Sequence, residues 1–216
     1  AGKFLSSSRE IRIVTNLCVY WDEIFLGDDV FQSGGLDSGP HAESQTPRLT
    51  RLAPADADLR FRGFSAVAID PQRRQPEHFD YAIVEPVSAW NPTPGLYTRY
   101  GDVTPLVQAI DDCFVIMGSG DELRLRFSPA ALPELRPGWQ RDFLLFVDGW
   151  AKDADPNTAF GGSVEPLPFH AMRGYPYPRG EHYPDDPLHN EYRRVYNTRQ
   201  ALELIRPLVA QKKRWN

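Results

Sequence analysis

The 216-residue chain has two cysteines, two methionines and no apolar run approaching the roughly 20 residues that a bilayer crossing needs. So little cysteine excludes a disulfide-dense framework, and leaves Cys18 and Cys113, both in apolar contexts, as a buried thiol pair or a single disulfide. An excess of positive charge is missing too: 24 Lys and Arg stand against 29 Asp and Glu, and the tightest basic group is Lys212-Lys213-Arg214 at the very end. A phosphate backbone calls for a concentrated positive face, so nucleic acid is not an expected partner. The chain also lacks a Gly-x-Ser-x-Gly elbow, a His-Glu-x-x-His helix, a phosphate-cradling Gly-x-x-x-x-Gly-Lys loop and a dinucleotide fingerprint. Neither an initiating Met nor a signal sequence is present, so the expectation is a piece of a longer polypeptide.

What is present describes a globular chain with many turns. Hydrophobic residues at 41% and charged residues at 25% match folded proteins, while 20 Pro and 16 Gly suit strands joined by loops better than a helical bundle. Residues 10–14 alternate Ile11 and Ile13 with Glu10 and Arg12, and 18–26 carries Tyr20, Trp21, Ile24 and Phe25, with Thr15-Asn16 as the bend between two strands. Residues 27–58 turn polar and are expected to form a long loop. Strand character returns at 59–64 and 79–87, and 103–111 has the spacing of a short helix. Around Gly118-Ser119-Gly120-Asp121, residues 114–117 and 122–127 read as a hairpin with one wet face. The five apolar residues 143–147, bracketed by Trp139 and Trp150, predict a central strand covered on both faces.

Toward the end, 159–184 reads as an extended wrapping segment. Asp186 and Pro187 open a helix with Leu188, Tyr192 and Val195 or Tyr196 as its apolar stripe, and 200–209 is a second helical candidate. The expectation is one domain over residues 1–216, a mainly antiparallel β-sandwich of jelly-roll type, with long loops and one or two helices in 159–216.

The candidate sites lie in loops. Asp153, Asp155 and Asn157 match the first three ligand positions of a calcium loop, although Thr158 stands where the sharp turn needs Gly and Glu165 falls one place beyond the closing carboxylate; a structural turn is the competing reading. The segment 88–100, with Trp90, Tyr97 and Tyr100, reads as an ordered loop whose rings supply contact area at low entropic cost, and Trp150 joins them as a candidate ligand contact for a sugar or a partner protein. Asp148 and Asp153 are the first carboxylates to consider for a sugar hydrolase. His182, Asp185, Asp186 and His189 could ligate a metal, but capping is a sufficient role for Asp186; His170 is expected to be a hydrogen-bonded, half-buried side chain. Asp22 and Glu23, neighbours on a strand, are expected at a rim on opposite faces.

Several motifs together carry a resemblance: Ile11-Arg-Ile-Val-Thr-Asn16 with Tyr20-Trp-Asp-Glu23, Trp90-Asn-Pro-Thr-Pro-Gly95, Gly120-Asp-Glu-Leu123, Gly138-Trp139, Arg141-Asp-Phe143, Asp148-Gly-Trp150, Lys152-Asp153 and Tyr196-Asn-Thr-Arg199. Across nearly its whole length the chain resembles the carboxy-terminal region of large bacterial exported proteins that carry FG-GAP (VCBS) propeller repeats, an ASPIC/UnbV segment and often tetratricopeptide repeats. The resemblance implies an extracytoplasmic binding or assembly module, with other domains of its own chain or a partner protein in contact, and transfers no catalytic residue. The Tyr-Trp-Asp stretch beside Arg-Ile-Val-Thr-Asn is also similar in style to galactose-binding-like β-sandwiches, on fold alone.

Overall fold

The computed structural model describes residues 9–32, 50–68, 71–72, 78–88, 91–128, 130, 132, 134, 137, 139–154 and 157–201. In chain order these form β1 (Glu10–Val14), β2 (Cys18–Gln32), β3 (Thr50–Leu52), β4 (Asp56–Phe61), β5 (Phe64–Ala68), β6 (His78–Glu85), β7 (Gly95–Tyr97), β8 (Gly101–Asp102), a 3-10 turn (Thr104–Val107), β9 (Val115–Met117), β10 (Asp121–Arg126), β11 (Trp139–Lys152), α1 (Pro187–Val195) and β12 (Arg199–Ala201). The architecture is mainly β and its strand pairs are antiparallel, as expected of a sandwich.

The first sheet runs β1-β10-β4-β8. Its register sets Ile13 beside Leu123 and Leu123 beside Leu59, and likewise Ile11, Leu125 and Ala57 in a row. Alternation then does the sorting: these side chains pack into the core, while the opposite face carries a ladder of charges. In that ladder Glu122 sits between Arg60 at 2.6 Å and Arg124 at 2.7 Å, and Glu10 holds Arg12 at 2.7 Å.

The second sheet is built on β2. β11 takes one edge of β2 along its whole length, and β3 and β9 share the other edge. Tyr20, Ile24 and Leu26 from β2 join Val115, Ile116 and Met117 of β9 and the inner residues of the first sheet in one core. Two pairs stand beside these sheets, β5 with β6 and β7 with β12.

Several expectations are corrected. Residues 143–147 lie in a strand, but that strand is not covered on both faces: Leu144 is 52% exposed, Leu145 42%, Phe146 38% and Val147 48%. Among the described residues β11 pairs with β2 alone, at an edge of its sheet, and 144–147 lie outside the core cluster, whereas β9, which also pairs with β2 alone, is packed within it. The doubly buried strand is β9, whose three residues are all fully buried. Residues 114–117 and 122–127 are not the arms of a hairpin either. β9 pairs with β2 and β10 with β1 and β4, so Gly118–Gly120 carries the chain from one sheet to the other.

The stretch 27–58 is not a loop throughout: β2 continues to Gln32, β3 begins at Thr50 and β4 at Asp56, while 33–49 lies outside the described residues. The helix expected at 103–111 shrinks to one 3-10 turn, and Gln200 and Ala201 belong to β12; the remainder of the second helical candidate lies outside the described residues. In α1 the cap forms as expected, with the Asp186 carboxylate accepting from the backbone N–H of Leu188 and His189. The buried side chains are His189 and Tyr192, whereas Leu188 is 54% exposed. Tertiary hydrogen bonds set this rotation: His189 reaches the Asp111 carbonyl at 3.0 Å and the Tyr192 hydroxyl donates to the Phe114 carbonyl at 2.9 Å. Cys18 and Cys113 are buried free thiols.

Candidate functional site

A concavity among the described residues has a volume of about 920 Å³. Five parts of the chain converge on it. The bend after β1 supplies Asn16, β6 supplies Phe79 and Tyr81, and β7 with the segment leading into it supplies Ser88, Asn91 and Tyr97; Ser119 and Asp153, just after β11, complete the wall. Tyr97 is held by its hydroxyl, which donates to the Thr93 carbonyl at 2.8 Å. The approach to it needs glycine: Gly95 has φ +142°, and a Cβ there would come within 2.5 Å of Val164. Tyr81 is 44% exposed, and its hydroxyl donates to Asn16 Oδ1 at 2.9 Å. An aromatic face, amides, hydroxyls and a carboxylate thus meet in one place.

Of the sequence-selected residues, Tyr97 and Asp153 share this cavity, and Trp90 and Asp155 lie outside the described residues. Tyr100 serves elsewhere. Its hydroxyl donates to buried Asp121 at 2.8 Å, and the Arg199 guanidinium lies over its ring at 4.2 Å while bonding Asp121 at 2.6 Å. Trp150 lines a second, smaller cavity of about 200 Å³ with Phe114, Phe169 and His170. Asn157 is exposed. Asp148 bonds His170, whereas Asp153 faces the large cavity, so the two carboxylates proposed for a hydrolase serve different places.

Lys152, one residue before Asp153, is 2% exposed. Its three ammonium protons are all engaged, reaching the carbonyls of Val164 at 2.8 Å, Ser163 at 2.9 Å and Pro166 at 3.3 Å, with Tyr175 and Tyr20 rings at 5.1 and 5.7 Å. Burial lowers its pKa to about 8. It pins the 163–166 segment to β11, and Lys152 itself lines the large cavity.

A polar cluster lies beside the smaller cavity. The bridge from Glu23 to Gln108 brings the bend at 111–112 next to Asp22, and Asp112 adopts φ 62°, a left-handed conformation that Asp tolerates. The Asp22 carboxylate accepts from the backbone N–H of Asp112 at 3.0 Å and of Asp111 at 3.2 Å. His170 Nδ1 lies 2.7 Å from Asp112 Oδ1 and 3.4 Å from Asp22 Oδ2, and Nε2 lies 2.9 Å from Asp148 Oδ1. Asp148 is aimed by a β-bulge between it and Gly149. Only glycine fits there, since a Cβ would stand 2.2 Å from the Tyr20 carbonyl oxygen.

Burial pushes the pKa of Asp22 up to about 6 against the opposing backbone N–H bonds, with Asp111 and Asp112 adding to the rise. For His170, burial acts downward but the bonds to Asp112 and Asp148 outweigh it, so its pKa is raised.

Asp22 and Glu23, expected at a rim, are both buried. The available signal was the alternation of β2. Tyr20, Ile24 and Leu26 face the core, and Asp22 and Asp28 interrupt that same face. Asp28 is matched by Arg141 of β11 at 2.7 Å. Comparison with family models, curated proteins and solved structures finds no match.

Proposed function

We propose that the chain is a non-catalytic binding module that takes a carbohydrate in the 920 Å³ cavity, as part of an exported multidomain protein of the kind its motifs resemble. One observation carries this reading: the cavity joins the rings of Tyr81, Phe79 and Tyr97 to the side chains of Asn16, Asn91, Ser119 and Asp153. A sugar presents a C–H face that packs on an aromatic ring and a rim of hydroxyls that bond amides and carboxylates, so this mixture fits its chemistry. Lys152 supports the wall without offering a proton, because its donors are already used.

A glycan array followed by calorimetry, run beside a pull-down from an exported protein fraction, tests the proposal. The expected result is saturable glycan binding that weakens at least tenfold in Tyr81→Ala and in Asn91→Ala. Silence on the array overturns the carbohydrate assignment, and silence in the pull-down as well overturns the binding module. Binding that neither substitution changes moves the ligand out of this cavity.

A further inference from the structure

We infer that Asp22, Asp112 and His170 form a binding site for a divalent transition-metal ion, separate from the cavity assigned to a sugar. One donor atom from each lies within 4.8 Å of the others. An ion bonded to imidazole nitrogen and carboxylate oxygen at about 2.0–2.2 Å holds neighbouring donors about 3.3 Å apart, so the cluster closes on an ion through small side-chain movements. Asp22 Oδ2 and His170 Nδ1 are already at 3.4 Å.

The surroundings supply what such a site needs beyond its donors. Metal-bound histidines commonly donate their other ring N–H to a carboxylate, which fixes the tautomer and strengthens the ligand. Here Nδ1 faces Asp22 and Asp112 while Nε2 stands 2.9 Å from Asp148, which fits metal on Nδ1 and an Nε2–H donated to Asp148. The Asp22 carboxylate is likewise oriented by two backbone N–H groups.

Charge points the same way. Three carboxylates, Asp22, Asp112 and Asp148, face one imidazole, and among the described residues no Lys or Arg makes an ion pair with any of them. A divalent cation offsets that excess, and the proton it displaces from Nδ1 leaves to solvent. Access is graded as well: the side chain of Asp22 is fully buried, that of Asp112 is 16% exposed and that of His170 44% exposed. His170 also lines the 200 Å³ cavity with Trp150 and Phe169, which leaves room for water or a small ligand at a further coordination position. An imidazole with two carboxylates suits zinc, manganese, cobalt or iron better than calcium, which prefers six to eight oxygen donors.

The test uses the untagged chain, stripped with chelator and titrated with Zn²⁺, Co²⁺ and Mn²⁺. One equivalent is expected to bind, with visible d–d absorption for Co²⁺. His170→Ala is expected to weaken binding at least 100-fold, Asp112→Asn at least tenfold and Asp148→Asn roughly 10- to 100-fold, while Asp153→Asn leaves it unchanged. In the wild-type protein the His170 Nδ1 resonance is expected to shift on Zn²⁺ addition, a readout that does not depend on any variant folding. Absence of saturable binding of all three ions up to millimolar concentration overturns the inference. So does an unmoved His170 signal, or equal affinity in Asp112→Asn and the wild type.

Discussion

The ammonium group of Lys152 is buried against three carbonyls and two aromatic rings, and its proton is held less tightly than in an unfolded chain. A fall from 10.5 to about 8 corresponds to roughly 3 kcal/mol against the charged form. Below pH 8 the amine is charged in both states and the full penalty applies. Between about pH 8 and 10.5 the folded protein has released the proton while the unfolded chain still binds it. The unfolded state therefore binds more protons, and stability from this group rises with pH across that window.

Lys152→Met removes the charge and its penalty but leaves the Ser163 carbonyl without its donor; Val164 keeps the Tyr20 hydroxyl at 2.6 Å and Pro166 keeps the Tyr175 hydroxyl at 2.8 Å. Each lost buried bond costs about 1–3 kcal/mol, so at pH 7 the two effects oppose each other and the sign of the net change is not diagnostic. The pH dependence of the difference is. Urea unfolding of both proteins at pH 7, 8, 9 and 10 is expected to show the wild type gaining about 2–3 kcal/mol relative to Lys152→Met from the lowest to the highest pH. A difference that stays flat across these conditions refutes the reasoning, because it means that Lys152 titrates alike in the folded and unfolded chains.

Two further outcomes follow from the fold. Leu145→Lys, at an exposed position of β11, is expected to cost less than about 1 kcal/mol in urea unfolding, whereas Ile116→Lys in fully buried β9 is expected to prevent cooperative folding altogether. Removing the helix cap with Asp186→Ala is expected to cost about 1 kcal/mol and to raise hydrogen exchange at the amides of Leu188 and His189, which that carboxylate accepts from.

Local patterns were legible wherever one neighbour was enough to decide the outcome. The alternation in 122–127 identified a strand with a charged face, and Asp186-Pro187 marked the start of α1, because strand period and capping depend on residues a few positions apart. Lateral order was not legible. An apolar run such as 143–147 reads the same in a central strand and at an open edge, since nothing within it reports how many strands lie beside it. The same limit hid the connection through Gly118–Gly120. A turn between two strands looks alike whether they pair with each other or with strands from distant parts of the chain.

The polar cluster required tertiary structure for a related reason. Asp22, Asp112, Asp148 and His170 come from four separate parts of the chain, and no spacing rule joins them. The large cavity is similar: Tyr97 and Asp153 stood out as loop residues, but Asn16 and Tyr81 join them only after β1 and β6 have taken their places.

The amino-acid sequence by itself determined a mainly β chain, its strand periods and the cap of α1, because each depends on steric and hydrogen-bonding preferences over a few consecutive residues. Only the tertiary structure decided which strands are neighbours, which apolar run is buried and which carboxylates surround His170. Those outcomes depend on contacts between segments far apart in the chain, where the gain from packing outweighs any local preference.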